Sequence, residues 1–263
     1  GNHQETRLND TNIHITGRRF AHKPYKLELR YPRVKAMVGI RELVQAAVKD
    51  AKPGQWIMSD GWSKGYLEEI IADPMNRKMN IHDFNDITPN NPLFLMEITY
   101  HNIVVNSQAL KLAGITKATP DPEGGIIWRD ADGEPTGLLV EKARLLVERV
   151  RTPLSIETMA QAMRDNIHQL TYIGITSVTT AAEGTGEMQA FCAVALDGTF
   201  PVRINCALQF CERGELGGDL EDYEAGLQYV GESTGCGNEW LKIGGVKIFA
   251  DGVPPTFTAW TYD

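Results

Sequence analysis

The second half of the chain repeats a pattern of short apolar runs separated by amphipathic stretches. Nearly continuous apolar and β-branched residues at 174–180, 202–209 and 243–250 are typical of buried parallel strands. Stretches with helical spacing at 187–196 and 220–230 lie between these runs. This alternation predicts βαβ units in a parallel sheet, with too few strands to close a barrel.

The first half of the chain is less regular and mixes helical with extended patterns. Apolar positions within Ile40–Asp50 follow helical spacing and predict an amphipathic helix. The apolar run Ile126–Trp128 precedes an Asp-Gly turn at 132–133, which predicts a β-hairpin. Further helices are predicted at 138–150 and 156–171. The pattern as a whole indicates an α+β arrangement for this half.

Composition and charge narrow the choice of partners and compartment. The chain has 263 residues and a formal net charge of −8, which argues against nucleic-acid binding. No apolar run reaches the ~18 residues of a membrane-spanning helix, and the first residues lack the apolar stretch of a signal peptide. The four cysteines form no C-x-x-C pair, as is typical of reduced thiols. We therefore predict a cytoplasmic protein without nucleic-acid or membrane partners.

Lys247 stands out because it lies inside the apolar run 243–250. Burying a lysine as a cation is costly, so such a residue needs a carboxylate partner, deprotonation or covalent modification. Asp251 is a candidate for the carboxylate of a purely structural ion pair. A deprotonated lysine can attack a carbonyl as a Schiff-base nucleophile, and a carbamylated lysine can bridge two divalent metals. The pattern alone leaves these three interpretations open.

Six blocks of the chain carry a family resemblance. They are Gly54–Ile57 with Asp60–Trp62, Asp86–Pro89 with Pro92, His101–Leu110 with Ala113–Ile115, Gly124–Glu141, Gly174–Val178, and Val246–Gly252. Each block is weak by itself. Together and in this order they resemble amidohydrolase family 3, the metal-dependent hydrolases that are similar to N-substituted formamide deformylase.

The resemblance implies an α/β fold, a partial metal-dependent hydrolase TIM (β/α) barrel with an inserted α+β subdomain. The runs near 174–180, 202–209 and 243–250 would then be barrel strands two to four. We accordingly predict three parts: an N-terminal segment at 1–54, the inserted subdomain at 55–152, and the partial barrel at 153–263. The chain would be a fragment of the family's full length.

The same resemblance implies a set of metal ligands. Lys247 would be the carbamylated ligand of one or two divalent metals, expected to be Zn²⁺. The family's first strand ends in a His-x-His pair, and His3 is the nearest candidate for its second histidine, with Gly1 where the first belongs. The spacing of His14 does not suggest a metal site. The catalytic general acid/base, an aspartate of the eighth barrel strand in the family, is expected beyond Asp263.

The resemblance also implies substrate contacts from His101, Trp62 and Asp251. In the family, the segment equivalent to the one around His101 lies beside the substrate site, although Tyr100 stands where the family usually has glycine. A loop histidine with a local structural role is the alternative for His101. A tryptophan in this setting is more often part of the core.

These expectations combine into one functional hypothesis with two rivals. We predict a metal-dependent amidohydrolase that hydrolyses a non-peptide C–N bond of a small amide or formamide, and that is inactive as this piece. The rivals are a Schiff-base lyase that uses Lys247 and a non-catalytic scaffold fragment. The exposed strand edges of a partial barrel favour self-association, so a homo-oligomer is expected.

Overall fold

The computed structural model of the chain describes residues 8–10, 15, 26–151, 155–183, 185–196, 198, 201–210, 220–230 and 235–248. The strands are β1 (Leu8–Asp10), β2 (Lys26–Glu28), β3 (Ile57–Trp62), β4 (Leu93–Glu97), β5 (Asn102–Val105), β6 (Gly125–Arg129), β7 (Pro135–Glu141), β8 (Ile175–Glu183), β9 (Arg203–Gln209) and β10 (Leu241–Val246). The helices are α1 (Met37–Asp50), α2 (Glu68–Ala72), α3 (Ser107–Leu112), α4 (Leu145–Glu148), α5 (Ile156–Tyr172), α6 (Thr185–Leu196) and α7 (Leu220–Val230). Single 3₁₀ turns lie at Ile81–Asp83 and Lys142–Arg144.

The chain forms two compact units. Residues 1–20 and 152–250 form one unit, which we call the parallel-sheet unit. Residues 21–151 and 251–263 form the other, which we call the mixed-sheet unit.

The parallel-sheet unit contains a four-stranded sheet in the order β1-β8-β9-β10, with every pairing parallel. Its core combines Val178 and Ile204 of the sheet with Met163 of α5 and Phe191 of α6. These strands are buried on a helix-covered face, as βαβ units require. The three predicted parallel strands are thus confirmed, and β10 ends earlier than predicted, at Val246.

Strand β1 was not predicted from the sequence. Its three residues, Leu8–Asp10, pair in parallel with the start of β8. Only one of the three is apolar, so no strand pattern marks this segment. The partner strand, and not the local sequence, defines it.

The mixed-sheet unit contains a six-stranded sheet in the order β2-β3-β4-β5-β7-β6. β2, β3 and β4 run parallel, whereas the pairings of β4 with β5, β5 with β7, and β7 with β6 are antiparallel. Helix α1 buries Ile40 and Val44 in the same core as Ile57 and Leu93. The helix therefore belongs with the subdomain that follows it, whereas we had predicted a separate segment at 1–54.

The predicted helix at 138–150 is wrong over its first half. Residues Pro135–Glu141 form β7, and helix α4 covers only Leu145–Glu148. Apolar residues at 138–140 suit either element, and pairing with both β5 and β6 decides for the strand. Gly137 has φ +85°, and a Cβ there would lie 2.2 Å from the carbonyl oxygen of Val105. Only glycine therefore fits at this position of β7, next to β5. The predicted hairpin is confirmed as β6 and β7.

Candidate functional site

The C-terminal ends of the parallel strands define one candidate edge. β8 ends at Glu183, which is paired in register with Gln209 at the end of β9. β10 ends at Val246, opposite Leu208, so Lys247 follows at the same edge. In (β/α) barrels the active-site residues come from the C-terminal ends of the strands. The sheet therefore brings Lys247 to the position where chemistry is expected.

The backbone of Lys247 is fixed on both sides. Its N–H donates to the carbonyl oxygen of Leu208 at 2.8 Å, which extends the pairing of β10 with β9. Its carbonyl oxygen accepts a hydrogen bond from the hydroxyl of Tyr223, a buried residue of α7, at 2.6 Å. The residue itself is half-buried. Lys247 is thus a rigidly placed residue at the mouth of a strand, and its carbamylation stays a prediction.

Three positions named in the sequence analysis, His3, Asp251 and Asp263, lie outside the described residues. The metal-ligand role of His3 and the substrate contact of Asp251 therefore stay predictions. The same holds for the catalytic aspartate that the family resemblance places beyond Asp263. No general acid/base is assigned to a described residue of this chain.

The position of β1 changes which histidine is of interest. His3 precedes this strand in the sequence, whereas Asn12-Ile13-His14 begins two residues after its end at Asp10. Because the family's His-x-His pair ends the first strand, β1 favours His14 as its second histidine, with Asn12 at the first position. Both assignments remain predictions.

From the sequence we placed the pair at the start of the chain and gave His14 no role, and neither assignment is tested by the described residues. The available signal was the Asn-x-His spacing after a short segment that only the pairing with β8 reveals as a strand. Within the described ranges, no group of three or more His, Cys, Asp or Glu side chains could hold a metal ion. The described residues therefore include the predicted ligand Lys247 but no complete ligand set.

The mixed-sheet unit contains a histidine–carboxylate pair at the ends of β5 and β7. His101 Nδ1 lies 2.7 Å from Oε2 of Glu141, with 6% and 24% of the two side chains exposed. The backbone N–H of Glu141 also donates to the carbonyl oxygen of His101 at 2.8 Å. No described residue forms a hydrogen bond with His101 Nε2. The pair with Glu141 also fits the alternative of a loop histidine with a local structural role, so the substrate contact of His101 stays a prediction.

Residues in the left-handed region flank this pair. Tyr100 has φ 65° and Glu141 has φ 49° with ψ −128°, conformations that favour glycine. Backbone outliers of this kind cost of order 1–3 kcal/mol each and are often found at functional sites. The fold therefore places Glu141 against His101 at an energetic cost.

Trp62 and Asn106 have structural roles. The Trp62 side chain is buried, and its Nε1–H donates to the carbonyl oxygen of Leu95 at 2.9 Å. The fully buried Asn106 caps α3, because its Oδ1 accepts from the N–H groups of Ala109 and Leu93. A substrate contact for Trp62 stays a prediction.

A second buried polar cluster lies beside these residues. Glu97 at the end of β4 accepts hydrogen bonds from Asn102 Nδ2 and from the Thr99 hydroxyl. Within the described part of the chain, Oδ1 of Asn102 and the hydroxyl of Ser59 are buried and have no hydrogen-bond partner. Unpaired buried polar atoms are uncommon in folded proteins.

Among the described helices, none combines the length and apolar character needed to cross a membrane.

The chain is similar to known proteins over most of its length. Residues 13–263 match the Amidohydrolase family. The chain is 29% identical over 248 residues to YtcJ of Bacillus subtilis, a protein named as an amidohydrolase, covering 92% of this chain and 42% of that protein. It is 31% identical over 138 residues to the N-substituted formamide deformylase of Arthrobacter pascens, covering 52% of this chain and 24% of that enzyme.

A solved structure has a similar fold. An uncharacterized metal-dependent hydrolase from Pyrococcus horikoshii OT3 superposes with a TM-score of 0.60 at 20% identity, covering 94% of this chain and 43% of that one. At this identity the likeness shows the fold, a partial hydrolase barrel with an inserted subdomain. The chain spans about two fifths of the length of its Bacillus relative. With a family match over nearly its entire length, the chain belongs to the amidohydrolase family.

Proposed function

We propose that the chain is part of a metal-dependent amidohydrolase that hydrolyses a non-peptide C–N bond of a small amide or formamide. Family membership supports the hydrolase class. The Arthrobacter relative is named as an enzyme acting on N-substituted formamides, which supports the bond type. The Pyrococcus neighbour is named as a metal-dependent hydrolase, which supports a divalent metal. Zn²⁺, a carboxylated lysine and a cytoplasmic location are part of the proposal.

The observation that carries the proposal is the placement of Lys247. It follows the last residue of a parallel strand, at the edge where barrel enzymes assemble their sites. Its backbone is held by Leu208 and Tyr223, so the side chain starts from a fixed point. A positioned lysine at this edge is the ligand that a carbamate-bridged metal centre needs.

The described residues do not make a metal site by themselves. Lys247 is one donor, and His14 is a candidate for a second outside the described residues. Bound divalent metals would supply polarisation of the substrate carbonyl and activation of water. Because the donor set in the described part is incomplete, we assign no catalytic step to a metal.

Lys247→Ala tests this proposal when it is introduced into a longer protein that contains this chain. We expect metal content and formamide hydrolysis to fall by at least about 100-fold, since even residues that only orient metal ligands are worth about 10–100-fold. Added acetate or propionate should restore part of the activity, because a carboxylate can replace the carbamate. The matched control is Lys242→Ala, which removes an exposed lysine from the same strand.

Two outcomes would contradict the proposal. One is a Lys247→Ala protein that retains both metal and hydrolysis. The other is covalent trapping of substrate on Lys247 by borohydride, which would identify a Schiff-base enzyme instead.

A further inference from the structure

We propose that Glu141 is a positioning residue that holds His101 with its proton on Nδ1, so that Nε2 accepts a hydrogen bond from an N–H group of a bound amide. The inference rests on the proposed function for the class of ligand. The arrangement of His101 and Glu141 does not depend on that function.

The pair is joined by both side chain and backbone. The 2.7 Å contact between Nδ1 and Oε2 places a carboxylate acceptor directly at one ring nitrogen. The 2.8 Å hydrogen bond from the Glu141 N–H to the His101 carbonyl fixes the two residues across β5 and β7. The imidazole of His101 is almost fully buried. Its contact with Glu141 is the one hydrogen bond that the His101 side chain forms with a described residue, and rotation of the ring would break it.

This geometry selects one tautomer of the neutral ring. An ionised carboxylate can only accept, so Nδ1 must donate to it. In neutral histidine the other nitrogen then carries a lone pair and is an acceptor. No described residue donates to Nε2, so that acceptor has no partner in the described part of the chain. The group that matches it is an N–H donor, which amides and formamides with a hydrogen on nitrogen possess.

Two further observations mark Glu141 as more than a packing residue. Its backbone adopts φ 49° and ψ −128°, where glycine would carry less strain, so the carboxylate is present despite that strain. Its second oxygen, Oε1, is buried and has no hydrogen-bond partner among the described residues. A carboxylate used only for structure would normally have both oxygens satisfied.

The test measures the tautomer directly. Two-bond ¹⁵N–¹H correlation spectra of the histidine-labelled chain report which ring nitrogen carries the proton, and His101→Gln assigns the signal. We expect the Nδ1–H pattern in the native chain, a mixture of tautomers in Glu141→Ala, and largely restored Nδ1–H in Glu141→Gln, whose amide oxygen can still accept. Glu134→Ala, which removes an exposed glutamate next to the β6–β7 turn, is the control and should change nothing.

A ligand titration tests the acceptor role. N-methylformamide should shift the Nε2 signal, whereas N,N-dimethylformamide, which has no N–H, should not. The affinity for N-methylformamide should fall about tenfold in Glu141→Ala. This is the loss expected when a group that orients a histidine is removed.

A native Nε2–H tautomer, or a tautomer unchanged in a folded Glu141→Ala, would overturn the positioning role. Equal shifts from the two amides would overturn the acceptor role. Neither readout involves hydrolysis, so a failure of the proposed enzyme activity is distinguishable from a failure of this inference.

Discussion

In the parallel-sheet unit the strands all run one way, and the backbone of the candidate residue Lys247 is held by the carbonyl oxygen of Leu208 and the hydroxyl of Tyr223. In the mixed-sheet unit the strands reverse direction, and the candidate residue His101 is placed by a partner 40 residues later in the sequence. The first unit has an apolar core beside which Asn166 and Glu187 are also buried. The second buries charged and amide side chains against one another.

The difference shows two separate ways to place a functional residue: by its position at the end of a strand, or by a pairing with another side chain. A parallel sheet gathers its strand ends at one edge through its topology. An antiparallel pairing brings distant residues face to face, so orientation depends on which partner the register supplies. Substitutions should therefore act differently in the two units.

The largest effect is expected from Phe191→Ala in the parallel-sheet unit. Phe191 is fully buried on α6, and removing its ring leaves a cavity, so the free energy of unfolding should fall by about 3–5 kcal/mol. Urea denaturation measures this change. Phe191→Leu, which keeps most of the volume, should cost much less, and equal losses for the two variants would rule out an apolar packing role.

A slightly smaller loss is expected from Glu148→Ala in the mixed-sheet unit. Glu148 forms a buried ion pair with Arg144, and removing it leaves an uncompensated charge, at a cost of about 3 kcal/mol. The double variant Arg144→Met with Glu148→Leu should recover most of this loss, because both charges are then absent. Denaturation of the single and double variants gives the comparison, and additive losses would contradict it.

Lys247→Ala should have little effect on stability. The side chain is half-buried, and the backbone hydrogen bonds of this residue to Leu208 and Tyr223 survive the substitution, so the free energy of unfolding should change by less than about 1 kcal/mol. Thermal denaturation beside the Lys242→Ala control checks this. A loss of several kcal/mol would mean that Lys247 is a structural ion-pair residue, and the contrast between the units would fail.

The smallest effect concerns the exposed pair of Arg41 and Asp86. The hydrogen bond from the Arg41 guanidinium holds the pKa of Asp86 below its usual value. A lowered pKa in the folded state stabilises the protein above the unfolded value of about 3.9, and this contribution is lost as pH falls through the folded pKa. Asp86→Asn should therefore lower the melting temperature slightly at pH 7. At acid pH the melting temperatures of the native chain and the variant should converge. A constant difference at every pH would refute this assignment.

The sequence predicted the elements whose signal is local. The parallel strands, the hairpin of β6 and β7, and helix α5 all follow from local patterns in the sequence. The position of Lys247 in the fourth barrel strand came from the family resemblance, and the structure shows it just past the strand end. The substrate and metal assignments remain predictions because no described contact tests them.

What the tertiary structure decided depends on partners far away in the sequence. The polar segment Leu8–Asp10 is a strand only because β8 pairs with it, and 138–140 is extended only because β5 and β7 align. That same alignment brings Glu141 to His101. The apolar pattern indicates which residues are buried. The strand register and the pairing partner are selected by the free energy of pairing across the sheet, and no local sequence pattern contains that information.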